Sequence, residues 1–409
     1  MTPRPPLGAG FRQLWAVAAT ANLGDGILLV GFPLLAVELT RSPLRVSLVS
    51  TLATLPWLLV ALHAGALADR HDRRGILLSA MSLRVVVLAG LTGAAVHGVF
   101  TLPVLYVAVL VLGVAEVLAD TTTQSLLPML VPRARLGAAN GRVIAAQTVA
   151  NDFLGGPVAG VLVGLGTVLV VATPAALYGV AAVLLLLGLR GTYRPPSREP
   201  RPIREDIVEG VRYLSGQRVL RALAVLAGLF NLAGAAYLAV FVLWAVGERS
   251  AVGLTPPAYG AMMAALAAGG IVGALLAERL VLRVGDPALL RAAAAVLGPL
   301  FLLPVWFPTP SVVAASFVAI GLAVSVTKVV VVSLAQRLIR GELLGRVNAT
   351  YRLIGLGTMP LGAVLGGSLG AAFGLPPVFY TAATVCVVGF RVATREITRD
   401  RIEQAEARR

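Results

Sequence analysis

The stretch VSLVSTLATLPWLLVALHAGALADRHDRRGILLSAMSLRVVVLAGLTGAAV, Val46 to Val96, decides how this chain is read. It holds two apolar runs, Val46–Ala68 and Gly75–Val96, joined by the short charged segment Asp69-Arg-His-Asp-Arg-Arg74. A helix that crosses a bilayer needs roughly 20 mostly apolar residues, and each run supplies that length. Working outward, run, short loop and run recur almost end to end. The first half gives Phe11–Ala36, Val46–Ala68, Gly75–Val96, Leu102–Leu127, Ala138–Leu162 and Thr167–Leu189. The second gives Leu220–Val246, Pro257–Leu282, Ala288–Phe307, Ser311–Leu334, Leu344–Phe373 and Pro377–Val392. The reading is an all-α membrane protein of about twelve spans.

Composition agrees. Of 409 residues, 58% are hydrophobic and 13% charged, against roughly 25% charged in a soluble domain. Most of the surface therefore does not face water. A net charge of +15 would by itself suggest nucleic acid. The arginines form no stripe, however; they sit in short clusters between apolar runs, and no nucleic-acid partner is expected. Lys328 is the sole lysine and Cys386 the sole cysteine. One cysteine excludes an intrachain disulfide, a Cys-rich metal site and an iron–sulfur cluster. His63, His71 and His97 are scattered without ligand spacing. No phosphate-binding loop is present, so this chain hydrolyses no ATP, and no Ser or Cys has a base nearby in sequence. Neither an enzyme nor a cofactor or metal is expected. The first apolar run is too long for the core of a cleavable signal.

Loop charges set the orientation, because cytoplasmic loops of membrane proteins carry the excess of Lys and Arg. One set holds Arg70, Arg73 and Arg74, then Arg133, Arg135 and Arg142, then the Arg-rich 190–218 segment, Arg279 and Arg283, and Arg337, Arg340 and Arg346. The alternate set holds only Arg41, Arg45 and Arg249. Both termini are therefore expected in the cytoplasm of a bacterial inner membrane, which requires an even number of spans. The division is 1–189 as a six-helix bundle, 190–218 as a cytoplasmic linker, 219–394 as a second six-helix bundle and 395–409 as a tail. The linker opens Pro-rich at Arg194 and continues with Ile203, Ile207, Val211 and Leu214 on one face, as a segment lying on the membrane surface would.

The halves read as repeats. Asn22-Leu23 corresponds to Asn231-Leu232, Gly65-Ala-Leu-Ala-Asp69-Arg70 to Gly273-Ala-Leu-Leu-Ala-Glu278-Arg279, and Gly141-Arg142-Val143 to Gly345-Arg346-Val347. Gly156, Gly160 and Gly164, and likewise Gly362, Gly366 and Gly370, fall four residues apart. Lipid gives no hydrophobic drive to helix pairing, so small residues that let backbones approach take on that role. Static packing and a sliding surface are both open.

Gly65-Ala-Leu-Ala-Asp69-Arg70-His-Asp-Arg73-Arg74 resembles the signature of the loop between spans two and three in the major facilitator superfamily, with Asp72 in place of the second glycine. Gly156-Pro157-Val-Ala-Gly160 resembles the fifth-span motif of the superfamily's antiporters, with Asp152 and Val161 in place of its outer glycines. The motif that embeds an arginine in the fourth span is missing; Glu116 and Asp120 stand there. Thr40-Arg-Ser-Pro43, Leu55-Pro-Trp57, Ala139-Asn-Gly141 and Glu209-Gly210 resemble the drug-efflux branch that includes macrolide and enterobactin exporters. The resemblance implies two bundles around a midplane cavity lined by spans one, four, seven and ten, with a switch at Gly65, Asp69, Arg70, Arg73, Arg74 and Asp120.

Charges at membrane depth cost about 2.5–3.5 kcal/mol each on insertion scales, so each needs a reason. Asp25 lies mid-way along the first span between Gly24 and Gly26, which would let the backbone loosen there. It binds a proton or a cationic substrate, or makes a structural hydrogen bond. Glu116 and Asp120 share one helix face; Asp120 lies nearer the cytoplasm, towards Arg73. Lys328 either joins Asp25, Glu116 and Asn231 in one chamber, as the counter-charge of Asp25, or snorkels to the interface. Arg84 and Arg352 are the other basic residues within spans. Asp152 is expected to brace the interior, and His63 to be a packed helix residue or a proton relay.

The expected function is export of a small amphipathic compound against proton entry, by a monomer in the lipid bilayer. Uptake and lipid flipping are rival transport modes. A membrane enzyme or a sensor would need an interfacial polar cluster or a soluble domain.

Overall fold

A computed structural model describes residues 7–194, 203–339 and 344–407. The Pro-rich opening of the linker (195–202) and Arg340 lie outside these residues. Sixteen α-helices follow one another: α1 (Gly8–Leu39), α2 (Pro43–Leu59), α3 (Ala61–Arg70), α4 (Arg73–Val96), α5 (Leu102–Leu130), α6 (Leu136–Gln147), α7 (Gly155–Leu165), α8 (Thr167–Gly188), α9 (Ile203–Gly216), α10 (Arg218–Ala245), α11 (Pro256–Val284), α12 (Asp286–Trp306), α13 (Pro310–Leu338), α14 (Leu344–Phe373), α15 (Leu375–Glu396) and α16 (Arg399–Ala407). Among the described residues the only bridge between extended segments joins Val246 to Leu254. Among the described residues eleven helical segments are long and apolar enough to cross a membrane, and twelve if a bent pair counts as one span. Helix is the outcome bilayer physics demands, since every backbone polar group in hydrocarbon must be paired within the segment.

Two expected spans are broken. The second bends by 53° between Pro43–Leu59 and His63–Arg70. Pro56 removes one backbone donor from the end of α2, and Val60 closes the break by donating to the Pro56 carbonyl at 2.7 Å. The fifth span runs as α6, a π-helical turn from Thr148 to Leu154, and α7. A π turn inserts a residue into the helical ladder and is frequent at functional sites.

The chain folds as two compact units. Unit one comprises residues 1–39, 55–199 and 255–264; unit two comprises 40–54, 200–254 and 265–409. In unit one α1 is the central post, packed against α5, α6, the π turn, α7 and α8, while α4 packs on α5 and α8. In unit two α10 has that place, against α14 and α15, and α12 packs on α13 and α15. The unit-two core is aromatic: Tyr237 stacks on Phe241 and Phe301, with ring centroids 5.3 and 4.9 Å apart, and Phe241 meets Phe317 at 4.8 Å.

Gly24 and Gly26 do not loosen α1, which is unbroken from Gly8 to Leu39. They let neighbours in. A Cβ on Gly24 would meet the Tyr178 ring at 3.0 Å, and one on Gly26 would collide with the backbone of Asn151. Gly155 answers from the other side, against the backbone of Gly26. In the linker, α9 buries Leu214 and leaves Val211 exposed, and the Tyr213 hydroxyl donates to the Leu338 carbonyl at 3.4 Å.

Candidate functional site

Tight packing at Gly24 sets the position of the main polar cluster of unit one. Tyr178 of α8, pressed against α1, donates its hydroxyl to Asp25 Oδ1 at 2.7 Å. Arg84 of α4 reaches the same oxygen at 3.0 Å, with its side chain 2% exposed and that of Asp25 12% exposed. The guanidinium lies over the Tyr178 ring, 4.7 Å from its centroid, a placement in which ring and carboxylate both favour the cation. Glu116 and Asp120, one turn apart on α5, also act electrostatically on Arg84. Asp25 is thus the carboxylate in contact with Arg84, and Glu116 and Asp120 add to the negative field around it.

Arg84 is therefore the partner that unit one itself gives Asp25. Sequence reasoning noted Arg84 as a charge within a span but gave it no role. The available signal was the cost of an arginine in the middle of the third span, which only a nearby acid offsets. Lys328 is exposed on α13. Asn231, on α10, is half-buried and donates to its own helix at the Ala227 carbonyl, 2.9 Å away. Both belong to unit two. Asp152, expected to brace the interior, is exposed instead; its neighbour Asn151 is the one that packs on α1. His63 is exposed, with Nδ1 3.2 Å from the Leu59 carbonyl of its own turn.

The loop signature builds a corner. Asp72 caps α4 by accepting from Gly75 N at 3.3 Å, and its other oxygen accepts from Tyr193 N at 2.6 Å. Arg73 is buried and donates to the carbonyls of Ala68 (3.1 Å) and Ser125 (2.8 Å), and to Asp69 at 3.3 Å. It thereby ties the α3–α4 turn to the end of α5. Arg74 donates to the Leu186 carbonyl. Arg70 and Asp69 are exposed, Asp69 by 72% of its side chain, and a Cβ on Gly65 would touch nothing.

Gly156, Gly160 and Gly164 form a groove on α7 that receives the first turns of α11, within unit one. Gly156 faces the Gly260 carbonyl and Met263 Cβ, Gly160 faces the backbone of Pro256 and Pro257, and Gly164 faces the Pro257 ring at 3.6 Å. Pro157, between the first two, is half-buried and lies against Gly260. In unit two Gly362 and Gly366 meet the α10 backbone at Leu232 and Ala236. Among the described residues no cluster of His, Cys, Asp and Glu has the makings of a metal site.

Comparison with known proteins gives one answer. Residues 2–407 match the profile of the family described as transmembrane secretion effector. The chain is 29% identical to the multidrug efflux pump Tap of Mycobacterium tuberculosis over 95% of its own length and 93% of that protein's. It is 27% identical to the enterobactin exporter EntS of Citrobacter koseri over 93% and 88%. Among solved structures it resembles a nucleoside transporter NupG mutant, with TM-score 0.77 and 12% identity over 95% of this chain and 100% of that one. It also resembles a bacterial homologue of the human lysosomal transporter Spinster, with TM-score 0.72 and 14% identity over 97% and 94%. These relatives and neighbours are transporters, not enzymes. With an apolar helical architecture of up to twelve spans and a match along almost its whole length, the chain is a membrane transporter of the transmembrane secretion effector family, within the major facilitator superfamily.

Proposed function

We propose that this chain exports a small amphipathic compound, preferentially one with a cationic group, in exchange for protons by alternating access. The observation that carries the reading is the buried contact of Asp25 with Arg84, with Glu116 and Asp120 of α5 acting on the same guanidinium. Asp25, Glu116 and Asp120 all act on the one guanidinium, and acids gathered away from water favour a positive partner. A proton and the cationic end of a substrate compete for that place, and competition for one site is what couples two opposite fluxes. Asp25 is held by Arg84 and Tyr178; Glu116 and Asp120, on one face of α5, add to the negative field that draws a proton or a cation. Export, rather than uptake, follows the relatives, a multidrug efflux pump and an enterobactin exporter.

The arginine distribution supports cytoplasmic termini in a bacterial inner membrane, and the protein acts as a monomer. Asn231 and Lys328 are assigned to substrate contact in the second half, and Gly65, Asp69 and Arg70 to the switch between states. The test uses inverted vesicles and a fluorescent lipophilic cation such as ethidium. Asp25→Asn and Glu116→Gln should each abolish accumulation driven by a pH gradient while leaving counterflow exchange. If both variants respond to the gradient as wild type does, the cluster is structural and the reading fails.

A further inference from the structure

Away from the Arg84 cluster, unit two has a cavity of about 670 Å³ lined by Arg41, Leu243, Glu248, Arg249 and Leu375. It lies at the end of the unit where α10 finishes and α15 begins. The Asp286–Arg337 ion pair, at the start of α12 and the end of α13, marks the other end. Arg41 is held there by design of the backbone. Its Nη1 donates to the Val246 carbonyl at 2.9 Å, and Gly247 has φ +99°. A Cβ at Gly247 would sit 2.5 Å from Nη2, so glycine both adopts the turn and leaves room for the guanidinium. The 246–254 loop that presents Glu248 and Arg249 is closed by Gly247 N to the Leu254 carbonyl (3.0 Å) and Leu254 N to the Ala245 carbonyl (2.7 Å). Ser250 Oγ donates to the Gly247 carbonyl at 2.6 Å and accepts from Gly253 N at 2.9 Å.

The same end of the unit carries amphipathic aromatics. Trp306 Nε1 donates to the Tyr380 hydroxyl at 3.2 Å, both side chains being exposed, and Trp244 Nε1 donates to the Pro304 carbonyl at 3.0 Å. Trp and Tyr with an apolar body and a satisfied polar tip mark headgroup depth. We infer that this cavity binds a zwitterionic phospholipid headgroup, its phosphate against Arg41 and Arg249 and its ammonium against Glu248. Guanidinium forks suit phosphate oxygens. Glu248 is the discriminating residue: a carboxylate repels a plain anion, whereas a ligand of both charges satisfies all three side chains. Leu243 and Leu375 offer apolar surface to the glycerol and first methylenes. The volume is within the roughly 300–1,000 Å³ of small-ligand sites.

The experiment uses full-length protein, purified in detergent and stripped of lipid, with binding read by native mass spectrometry. Palmitoyl-oleoyl phosphatidylethanolamine and phosphatidylglycerol are compared, with inorganic phosphate and glycerophosphoethanolamine as soluble competitors. Wild type should retain the ethanolamine lipid over the glycerol lipid. Glu248→Gln should lower that preference about tenfold without lowering total lipid retention, and Arg249→Ala should weaken both lipids about tenfold. Arg249→Lys, which keeps the charge and loses the fork, should fall between. Millimolar phosphate should not displace lipid. An unchanged preference in Glu248→Gln overturns the proposal. So does displacement of lipid by phosphate alone, which would make this a soluble-anion site.

Discussion

Arg84 is the residue whose removal tests the cluster most sharply. Its side chain is 2% exposed and contacts Asp25 at 3.0 Å, and removing one member of a buried pair costs about 3–5 kcal/mol. Arg84→Met should fall in that range near neutral pH, because it leaves Asp25, Glu116 and Asp120 with no shared cation. Asp25→Asn keeps an acceptor for the Tyr178 hydroxyl and leaves Arg84 facing the two remaining acids, so its cost should sit near or below the lower limit of about 3 kcal/mol. Tyr178→Phe removes one hydrogen bond to a charged acceptor, about 1.5–3 kcal/mol, and keeps the ring under the guanidinium. The pH dependence separates the variants by sign. Acid supplies protons to carboxylates from which Arg84→Met takes the cation, so its deficit relative to wild type should shrink as the pH falls. In Asp25→Asn the guanidinium keeps only Glu116 and Asp120 as counter-charges and stays protonated throughout. Acid removes its remaining partners, and that deficit should grow. The assay is thermal unfolding in detergent followed by tryptophan fluorescence, which Trp15 and Trp57 of unit one report. The double variant should cost less than the sum of the singles by about 1–3 kcal/mol. If both deficits move the same way with pH, the acids do not share one cation and the charge argument fails.

Gly26→Val should separate α1 from the π turn, since even a Cβ there collides with the Asn151 backbone; a loss of about 1–3 kcal/mol or more, seen as reduced folded yield, is expected, and wild-type yield would contradict the packing. Gly65→Ala should hold or gain stability by about 0.4–1 kcal/mol, since its Cβ meets nothing, and exposed Asp69→Asn should leave stability unchanged. Both should nonetheless slow transport severely, and wild-type rates would reduce the loop signature to an anchor. Reporter fusions at Arg194 and after Arg409 should both read cytoplasmic, and an external signal at either would overturn the orientation.

The spans were legible because lipid imposes length and hydropathy, and those are local properties of a sequence. The boundary expected at Gly75–Val96 falls two residues from α4, and Leu220–Val246 is α10 to within two residues at its start and one at its end. What escaped was three-dimensional. Nothing in Gly24-Asp25-Gly26 says whether the glycines loosen the helix or admit Tyr178 and Asn151; only the neighbours decide. The pairing of Asp25 with Arg84 joins residues 59 positions apart by subtraction of their numbers, and no periodicity encodes it. Lys328 drew notice as the sole lysine, a matter of residue type, while the arginine that carries the pair was one of many. The breaks at Val60 and at 148–154 were hidden for a related reason: hydropathy is blind to a change in helical register.

The two loop corners show what a repeat preserves. In unit one Asp72 caps the start of α4, and Arg73 beside it reaches the Ser125 carbonyl near the end of α5. In the second half Asp286 stands in the first turn of α12 and pairs with Arg337 in the last turn of α13. Read as paired residues, the corners differ, since an arginine meets a carbonyl in one and a carboxylate in the other. Read as helix ends, they agree. Each puts an acid at the start of its half's third span and a guanidinium at the end of the fourth. A helix start presents unpaired N–H groups and a helix end unpaired carbonyls, so an anion is favoured at the first and a cation at the second. The arginine meets that demand equally well from the end of the fourth span or from across the turn. What the corner needs is charge at a helix terminus, which more than one residue can deliver, and so the halves match by residue identity at Gly65–Arg70 and Gly273–Arg279 but not at Asp72 and Asp286.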